Sequence, residues 1–275
     1  MQTTEYHLYR TKFIKPAQAN LFNPNITAQE IFESALSSKP SLELIKNSVW
    51  HIGNIERLTS TGGRFAIGRT TTTTIEKYDP NSGNFADHID DSGPYTFVYF
   101  DSTIGLLGIG KRTKVAQNVK AIAKKIKKLF EKTDVVMQNH IDVRIDIIPD
   151  PETFLEKINS AYAIKRFKAH FTGPNPIDAD ELFQKPLSYY CQQLDAQEGS
   201  VVVNGEALNP AAVSAVAKST AATANSASAL VQTERNTRPI SIALTGDARK
   251  VSTPFEADPL SILELIKDSY KEVRE

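Results

Sequence analysis

The chain has 275 residues, which is enough for one large domain or two smaller ones with a substantial core. Its composition, 40% hydrophobic and 23% charged, is typical of a globular protein, and its 32 basic residues balance its 32 acidic residues. This neutrality excludes indiscriminate polyanion binding by the whole surface but leaves room for one local basic site. The single cysteine, Cys191, excludes an internal disulfide framework and suits a reducing cytosol, so we expect a cytoplasmic protein.

Membrane signals are missing from the sequence. The N-terminal residues lack the apolar stretch of a secretory signal, and no run of about 18 apolar residues is present to predict a membrane span. We therefore expect no membrane insertion.

The first hundred residues predict strands and one short helix. A helix is predicted over residues 26–36, where Thr27 and Glu30 have capping-box spacing and Asn25 is a second candidate cap. Residues 79–93 are polar, acidic and rich in turn formers, which predicts an exposed loop. Aromatic and β-branched residues, including five consecutive threonines, predict strands over residues 5–14, 48–58, 64–77 and 95–100.

The most distinctive stretch covers residues 105–132, where a glycine-rich turn precedes a predicted long helix. Residues 111–132 contain nine basic residues and one acid, Glu131, which leaves 23 basic and 31 acidic residues in the rest of the chain. At about 100° per residue, the apolar side chains of residues 115–130 fall on one side of a helix and the lysines on the other. The pattern predicts a surface helix whose apolar stripe faces a core.

The concentrated positive charge is a candidate nucleic-acid-binding surface. Lysine contacts phosphate as a point charge and does not read bases, so we expect salt-sensitive binding to double-stranded DNA with little sequence preference. The first basic residues should lie near the helix N-terminus, whose free N–H groups also favour phosphate. The alternatives are a solvated face paired with the acidic segment 79–91, or a docking surface for an acidic protein or a second subunit. The candidate residues are Lys111, Arg112, Lys114, Lys120, Lys124, Lys125, Lys127, Lys128 and Lys132.

The glycine turn also allows a different hypothesis, a nucleotide-binding enzyme. Residues 105–111 match the pattern G-x-x-x-x-G-K, between a predicted strand and a predicted helix. Two features argue against a phosphate-binding loop. Arg112 stands where the pattern requires Ser or Thr, and Leu106, Leu107 and Ile109 are bulky for a loop that wraps phosphates.

Other catalytic or metal-binding patterns are missing. The five histidines are scattered, and His88 among Asp87, Asp90 and Asp91 is more typical of a solvated acidic turn than of a metal site. Cys191 has no nucleophile context, and the sequence has no G-x-S-x-G motif. We therefore expect no catalytic residue, no metal and no cofactor.

Helices separate the strands predicted beyond residue 140. Strands are predicted over residues 141–148, 163–172 and 239–245, and helices over 152–162, 178–197, 207–232 and 259–273, with Asn209-Pro210 as a helix start. The alternative for residues 207–232, which are rich in Ala, Ser and Thr, is a mobile low-complexity arm. This order predicts an α+β fold in which a mixed or antiparallel sheet carries the basic helix and a second sub-domain resembles a split β-α-β unit. The predicted domains are residues 1–135 and 136–275.

Three short motifs in the first 130 residues carry a family resemblance. They are Tyr-Arg-x-Lys at residues 9–12, an aromatic and basic strand at 65–70, and an aromatic strand running into Thr-Ile-Gly at 97–105. Their layout resembles the RexA component of the lambda phage exclusion system. Residues 174–176 and 247–253 are more similar to uncharacterised proteins encoded near phage-defence genes. The resemblance implies a non-enzymatic, dimeric DNA-binding protein of phage exclusion with a partner in a defence system, but it does not include the lysine-rich helix.

Overall fold

The computed structural model describes residues 3–15, 26–46, 48–172 and 180–275. Within these residues the chain forms two antiparallel sheets and seven helices, which confirms the predicted α+β class. The candidate cap Asn25 and the motif at residues 174–176 lie outside the described residues. No described helix combines the length and apolar character that a membrane span requires.

The larger sheet has nine strands and the smaller sheet has four. The strands of the larger sheet are β1 (Thr3–Ile14), β2 (Ser41–Ile45), β3 (Ser48–Arg57), β4 (Gly62–Asp79), β5 (Asn84–Ser92), β6 (Tyr95–Asp101), β7 (Leu106–Gly110), β8 (Asp142–Ile147) and β13 (Lys250–Pro254). Those of the smaller sheet are β9 (Ala163–Thr172), β10 (Glu198–Asn204), β11 (Ala227–Gln232) and β12 (Ile240–Ala243). The helices are α1 (Ala28–Ser37), α2 (Val119–Glu131), α3 (Asp134–Gln138), α4 (Glu152–Asn159), α5 (Gln184–Gln193), α6 (Pro210–Ala222) and α7 (Pro259–Arg274).

Strand β1 connects three parts of the larger sheet. Along one edge it pairs first with β13 and then with β8, and along the other edge it pairs with β7. The strand order is β13-β1-β7-β6-β4-β3-β2, with β5 attached to β4 and β8 attached to β1. The smaller sheet has the order β10-β9-β11-β12, and every pairing in both sheets is antiparallel.

Side-chain alternation gives the larger sheet two buried faces. Helices α1, α2 and α3 cover one face, where Phe13, Phe100 and Leu107 are buried. Helix α7 covers the other face, and the core there continues through α6 into the smaller sheet. Strands β8 and β13 come from the second half of the sequence but pair with β1, which comes from the first half.

Most predicted elements are confirmed, including the Thr27–Glu30 capping box of α1 and the helix start at Asn209. The predicted loop at residues 79–93 is only partly right, because residues 80–83 form a turn but Asn84–Ser92 form β5, which pairs with β4 in a long hairpin. The helix predicted over residues 207–232 ends with α6, and its last residues form β11. Strands β2, β10 and β13 were not predicted from the sequence.

Lys12 joins the two sheets. It lies on β1, and its Nζ donates hydrogen bonds to the carbonyl oxygen of Ala224 (3.1 Å) and to Oδ1 of Asn225 (2.9 Å), between α6 and β11. Burial lowers the pKa of Lys12 to about 8; the positive charge of Arg10 acts in the same direction, and Asp146, 3.9 Å from Nζ, opposes it. The junction therefore contains a lysine whose protonated form is destabilised by folding.

We expect Lys12 to contribute a rise in the free energy of unfolding between pH 8 and pH 10. The ordinary lysine pKa of 10.5 applies to the unfolded chain, so in this window the unfolded chain holds a proton that folded Lys12 has released. A shift of this size corresponds to a rise of about 2 kcal/mol by pH 10. Denaturant unfolding at closely spaced pH values measures it.

Two substitutions test this assignment. Lys12→Met should remove this contribution, whereas Lys157→Met, at an exposed lysine of α4, should retain it. Burial raises the pKa values of Tyr6, Tyr9, Tyr99 and Cys191, so their contributions to stability decline over the same pH range and oppose that of Lys12. Both variants retain these groups, so the difference between the two profiles isolates Lys12. A Lys12→Met profile that rises as steeply as that of the parent protein would contradict the assignment.

Candidate nucleic-acid interface

Helix α2 is an amphipathic surface helix, as the sequence predicts. It packs against the larger sheet on β7 and β8 and also contacts β2 and β3. The helix begins at Val119, because Asn118 has extended backbone and its side-chain oxygen accepts a hydrogen bond from the Ala121 N–H at 2.9 Å. The side chains of α2 buried against the sheet are Val119, Ile122, Ala123, Ile126, Leu129 and Phe130.

The start of the predicted helix is wrong. Residues 111–118 form a connection with a single turn, in which the Val115 and Ala116 N–H groups donate to the carbonyl oxygen of Arg112. Val115 is still buried in the same core as α2, which explains why the apolar spacing continued through this segment. Lys111 and Arg112 precede the helix by several residues and do not lie at its N-terminus.

The nine basic residues nevertheless form one charged segment, which we call the lysine surface. Seven of the nine side chains are exposed, and those of Lys125 and Lys127 are partly buried. At about 100° per residue, Lys120, Lys124, Lys127 and Lys128 project within an arc of about 100°. Within the part of the chain that the structure describes, five members have no hydrogen-bond or ion-pair partner: Lys114, Lys120, Lys124, Lys128 and Lys132.

The other four members contact neighbouring groups. Lys111 pairs with Glu5 at 3.3 Å, and Lys127 pairs with Glu131 at 3.5 Å. These exposed pairs contribute little to stability, so an anionic ligand can displace them.

Two members of the lysine surface contact aromatic side chains of the larger sheet. The Lys125 Nζ lies 5.5 Å from the centre of the Trp50 ring, and burial, followed by the charge of Lys128, lowers the pKa of Lys125. Arg112 donates to the carbonyl oxygen of Tyr95 at 2.6 Å and stacks over the Tyr95 ring. The sequence did not predict these contacts, since Trp50 and Tyr95 come from strands distant along the chain.

The predicted phosphate-binding turn is also wrong. Leu106 to Gly110 form β7, a fully buried strand between β1 and β6. Ile266 of α7 packs against Gly108, and a Cβ at Gly110 would lie 2.7 Å from Oγ1 of Thr96. These glycines serve close packing inside the sheet, so residues 105–111 do not offer a loop to a nucleotide.

Other parts of the described chain offer weaker candidates. No group of three or more His, Cys, Asp or Glu side chains among the described residues is placed to hold a metal ion. The side chains of His88, Asp90 and Asp91 are not among those described. An open cavity of about 390 Å³ lies between α4 and residues 243–250, but its two carboxylates, Asp150 and Asp247, are paired with Arg249 and Lys250. The lysine surface has the larger uncompensated charge and is the stronger candidate.

Comparison with protein-family models gives no match, and comparison with curated proteins gives none either. The functional inference therefore depends on the chemistry of the lysine surface.

Gly105 provides a test of the β7 assignment. Its φ is +69°, its carbonyl oxygen accepts a hydrogen bond from the Thr11 N–H at 2.7 Å, and a Cβ here would lie 2.4 Å from the Thr11 oxygen. Gly105→Ala should therefore lower the free energy of unfolding by about 3 kcal/mol, through backbone strain and this close contact. Denaturant unfolding measures the change.

Gly53→Ala is the matched control, because a Cβ at Gly53 of β3 meets nothing within 4 Å. Its stability should stay within about 1 kcal/mol of the parent protein. Equal stabilities of the two variants would show that the backbone at Gly105 is not constrained as described.

Proposed function

We propose that this protein binds the phosphate backbone of double-stranded DNA through the lysine surface, without catalysis and largely independently of base sequence. The observation that carries the proposal is the set of five basic side chains without a hydrogen-bond or ion-pair partner among the described residues. Like charges at i, i+4 spacing destabilise a helix. An anion that binds to the row Lys120, Lys124, Lys128 therefore relieves the repulsion between its ammonium groups.

The dimensions of the row suit a DNA strand. Successive members are separated by about 6 Å along the helix axis, so the three ammonium groups span about 12 Å. Each DNA strand presents one phosphate per about 3.4 Å of duplex axis, so the row can face three or four phosphates. Neutralising them releases condensed counterions, which supplies the binding free energy.

The side-chain chemistry supports weak sequence preference. Eight of the nine members are lysines, which lack the planar fork that reads guanine bidentately. The one arginine, Arg112, already contacts the carbonyl oxygen and ring of Tyr95. The contacts available to DNA are therefore contacts to the backbone.

The RexA resemblance extends the proposal to a cellular role. On that basis we assign the protein to phage exclusion, as a dimer with a partner in a defence system. The single cysteine, Cys191, supports a cytoplasmic location. A second candidate function, docking of an acidic protein on the same lysine surface, is favoured by the acidic hairpin of β4 and β5.

Duplex binding across a salt series tests the proposal. With about five phosphate contacts, the logarithm of the association constant should fall with log[salt] at a slope of about −4 to −5, or by roughly 250- to 1,000-fold between about 50 and 200 mM salt. Two duplexes of unrelated sequence should give affinities within about threefold of each other. Fluorescence anisotropy of labelled duplexes measures both quantities.

Charge reversal locates the contacts. The variant with Lys120→Glu, Lys124→Glu and Lys128→Glu should lose at least about 100-fold in affinity for both duplexes at about 50 mM salt, with an unchanged circular dichroism spectrum.

The matched control reverses three exposed lysines of other helices, Lys157, Lys185 and Lys271, with the same change in net charge. The affinity of this control for both duplexes should fall less than about tenfold, because these lysines act on DNA only through long-range charge. Equal losses in the two variants would overturn the assignment of the lysine surface.

A further inference from the structure

The hairpin of β4 and β5 extends beyond the larger sheet as a two-stranded ribbon. Residues 72–79 pair with residues 84–91, and no other described strand pairs with either segment. At about 3.3 Å per residue the ribbon projects by roughly 25 Å. A two-stranded ribbon without a third strand or a covering helix is marginally stable in water. We call residues 72–91 the acidic ribbon; they contain five acidic residues and one lysine.

One face of the acidic ribbon carries an acidic cross-strand pair beside an exposed aromatic one. Glu76 lies directly opposite Asp87, both are exposed, and like charges in this arrangement destabilise a hairpin. Tyr78 lies directly opposite Phe85 on the same face, with ring centres 5.2 Å apart and exposed fractions of 56% and 80%. An acidic pair therefore adjoins an exposed aromatic pair.

A row of lysines is the chemical complement of this face. Ammonium groups neutralise the two carboxylates, while the apolar lysine stems cover the aromatic rings and permit cation–π contacts. The molecule already contains such a contact, between Lys125 and Trp50. Helix α2 is about 20 Å long, close to the length of the acidic ribbon. The lysine surface and the acidic ribbon therefore match in charge, in chemistry and in length.

We propose that the acidic ribbon of one protomer docks on the lysine surface of a second copy of this chain. The described ion pairs of the lysine surface join it to Glu5 and Glu131 and not to the ribbon. Because each chain carries both surfaces, a dimer with two-fold symmetry contains this contact twice. The acidic ribbon and the lysine surface of both protomers are then all occupied. This interface requires no DNA.

Sedimentation velocity without DNA tests the interface by exchange of charges. The parent protein should be a dimer at about 50 mM salt and dissociate at about 500 mM, where exposed charges are screened. The ribbon variant Glu76→Lys, Asp87→Lys and the helix variant Lys124→Glu, Lys128→Glu should each raise the dimer dissociation constant at least about tenfold, because both contacts then oppose like charges.

Mixing the two variants provides the decisive outcome. In a mixed dimer the reversed ribbon faces the reversed helix, and the native ribbon faces the native helix, so both contacts are attractive. An equimolar mixture should therefore restore a one-to-one complex that neither variant forms with itself. The control Lys77→Glu, on the opposite face of the ribbon, should dimerise like the parent protein.

Three results would overturn the interface: a monomeric parent protein at low salt, variants that dimerise as well as the parent, or a mixture that does not associate. Because no DNA is present, none of them bears on the proposed DNA binding. Conversely, a failed DNA titration leaves the sedimentation result unaffected.

Discussion

The packing of α2 against the larger sheet determines where the lysine surface lies. Burial of a large apolar side chain stabilises a fold by about 1.5–3 kcal/mol, and α2 buries four of them, Ile122, Ile126, Leu129 and Phe130. Repulsion between lysines at i, i+4 costs about 0.2–0.5 kcal/mol for each pair. The stabilisation from burying these side chains therefore exceeds the destabilisation from lysine repulsion several-fold. This difference allows the helix to hold unneutralised charge in water.

The pairing of β1 with strands distant in sequence determines the part of the larger sheet against which α2 packs. Strands β7, β8 and β13 come from three distant parts of the chain, and all pair with β1. Strand β8 contacts α2 directly, and β7 supplies the buried Leu107 and Ile109 beneath it. The position of the basic helix therefore depends on residues from both halves of the sequence, including Gly105, which meets β1 at Thr11.

Sequence patterns predicted several elements that have one buried face, although not β13. The spacing of Val115, Ile122 and Ile126 predicted the buried side of the basic segment, although the helix starts later than expected. The strand β5 was missed because the described side chains of residues 84–87 are exposed on both faces of the ribbon, so no apolar alternation marks the strand. Strand β7 resembled a phosphate loop because its glycines pack against Thr96 and Ile266, contacts that no local pattern reveals.

The two proposals together make duplex DNA and a partner's acidic ribbon competing ligands of the lysine surface. The competition arises because basic and acidic residues are segregated within a chain that is neutral as a whole. Duplex DNA carries about 15 charges over 25 Å, whereas the acidic ribbon carries five acidic residues over a similar length. On these two proposals, DNA would displace the ribbon when it binds. The ribbon would then act as a threshold that favours ligands with the charge density of a duplex.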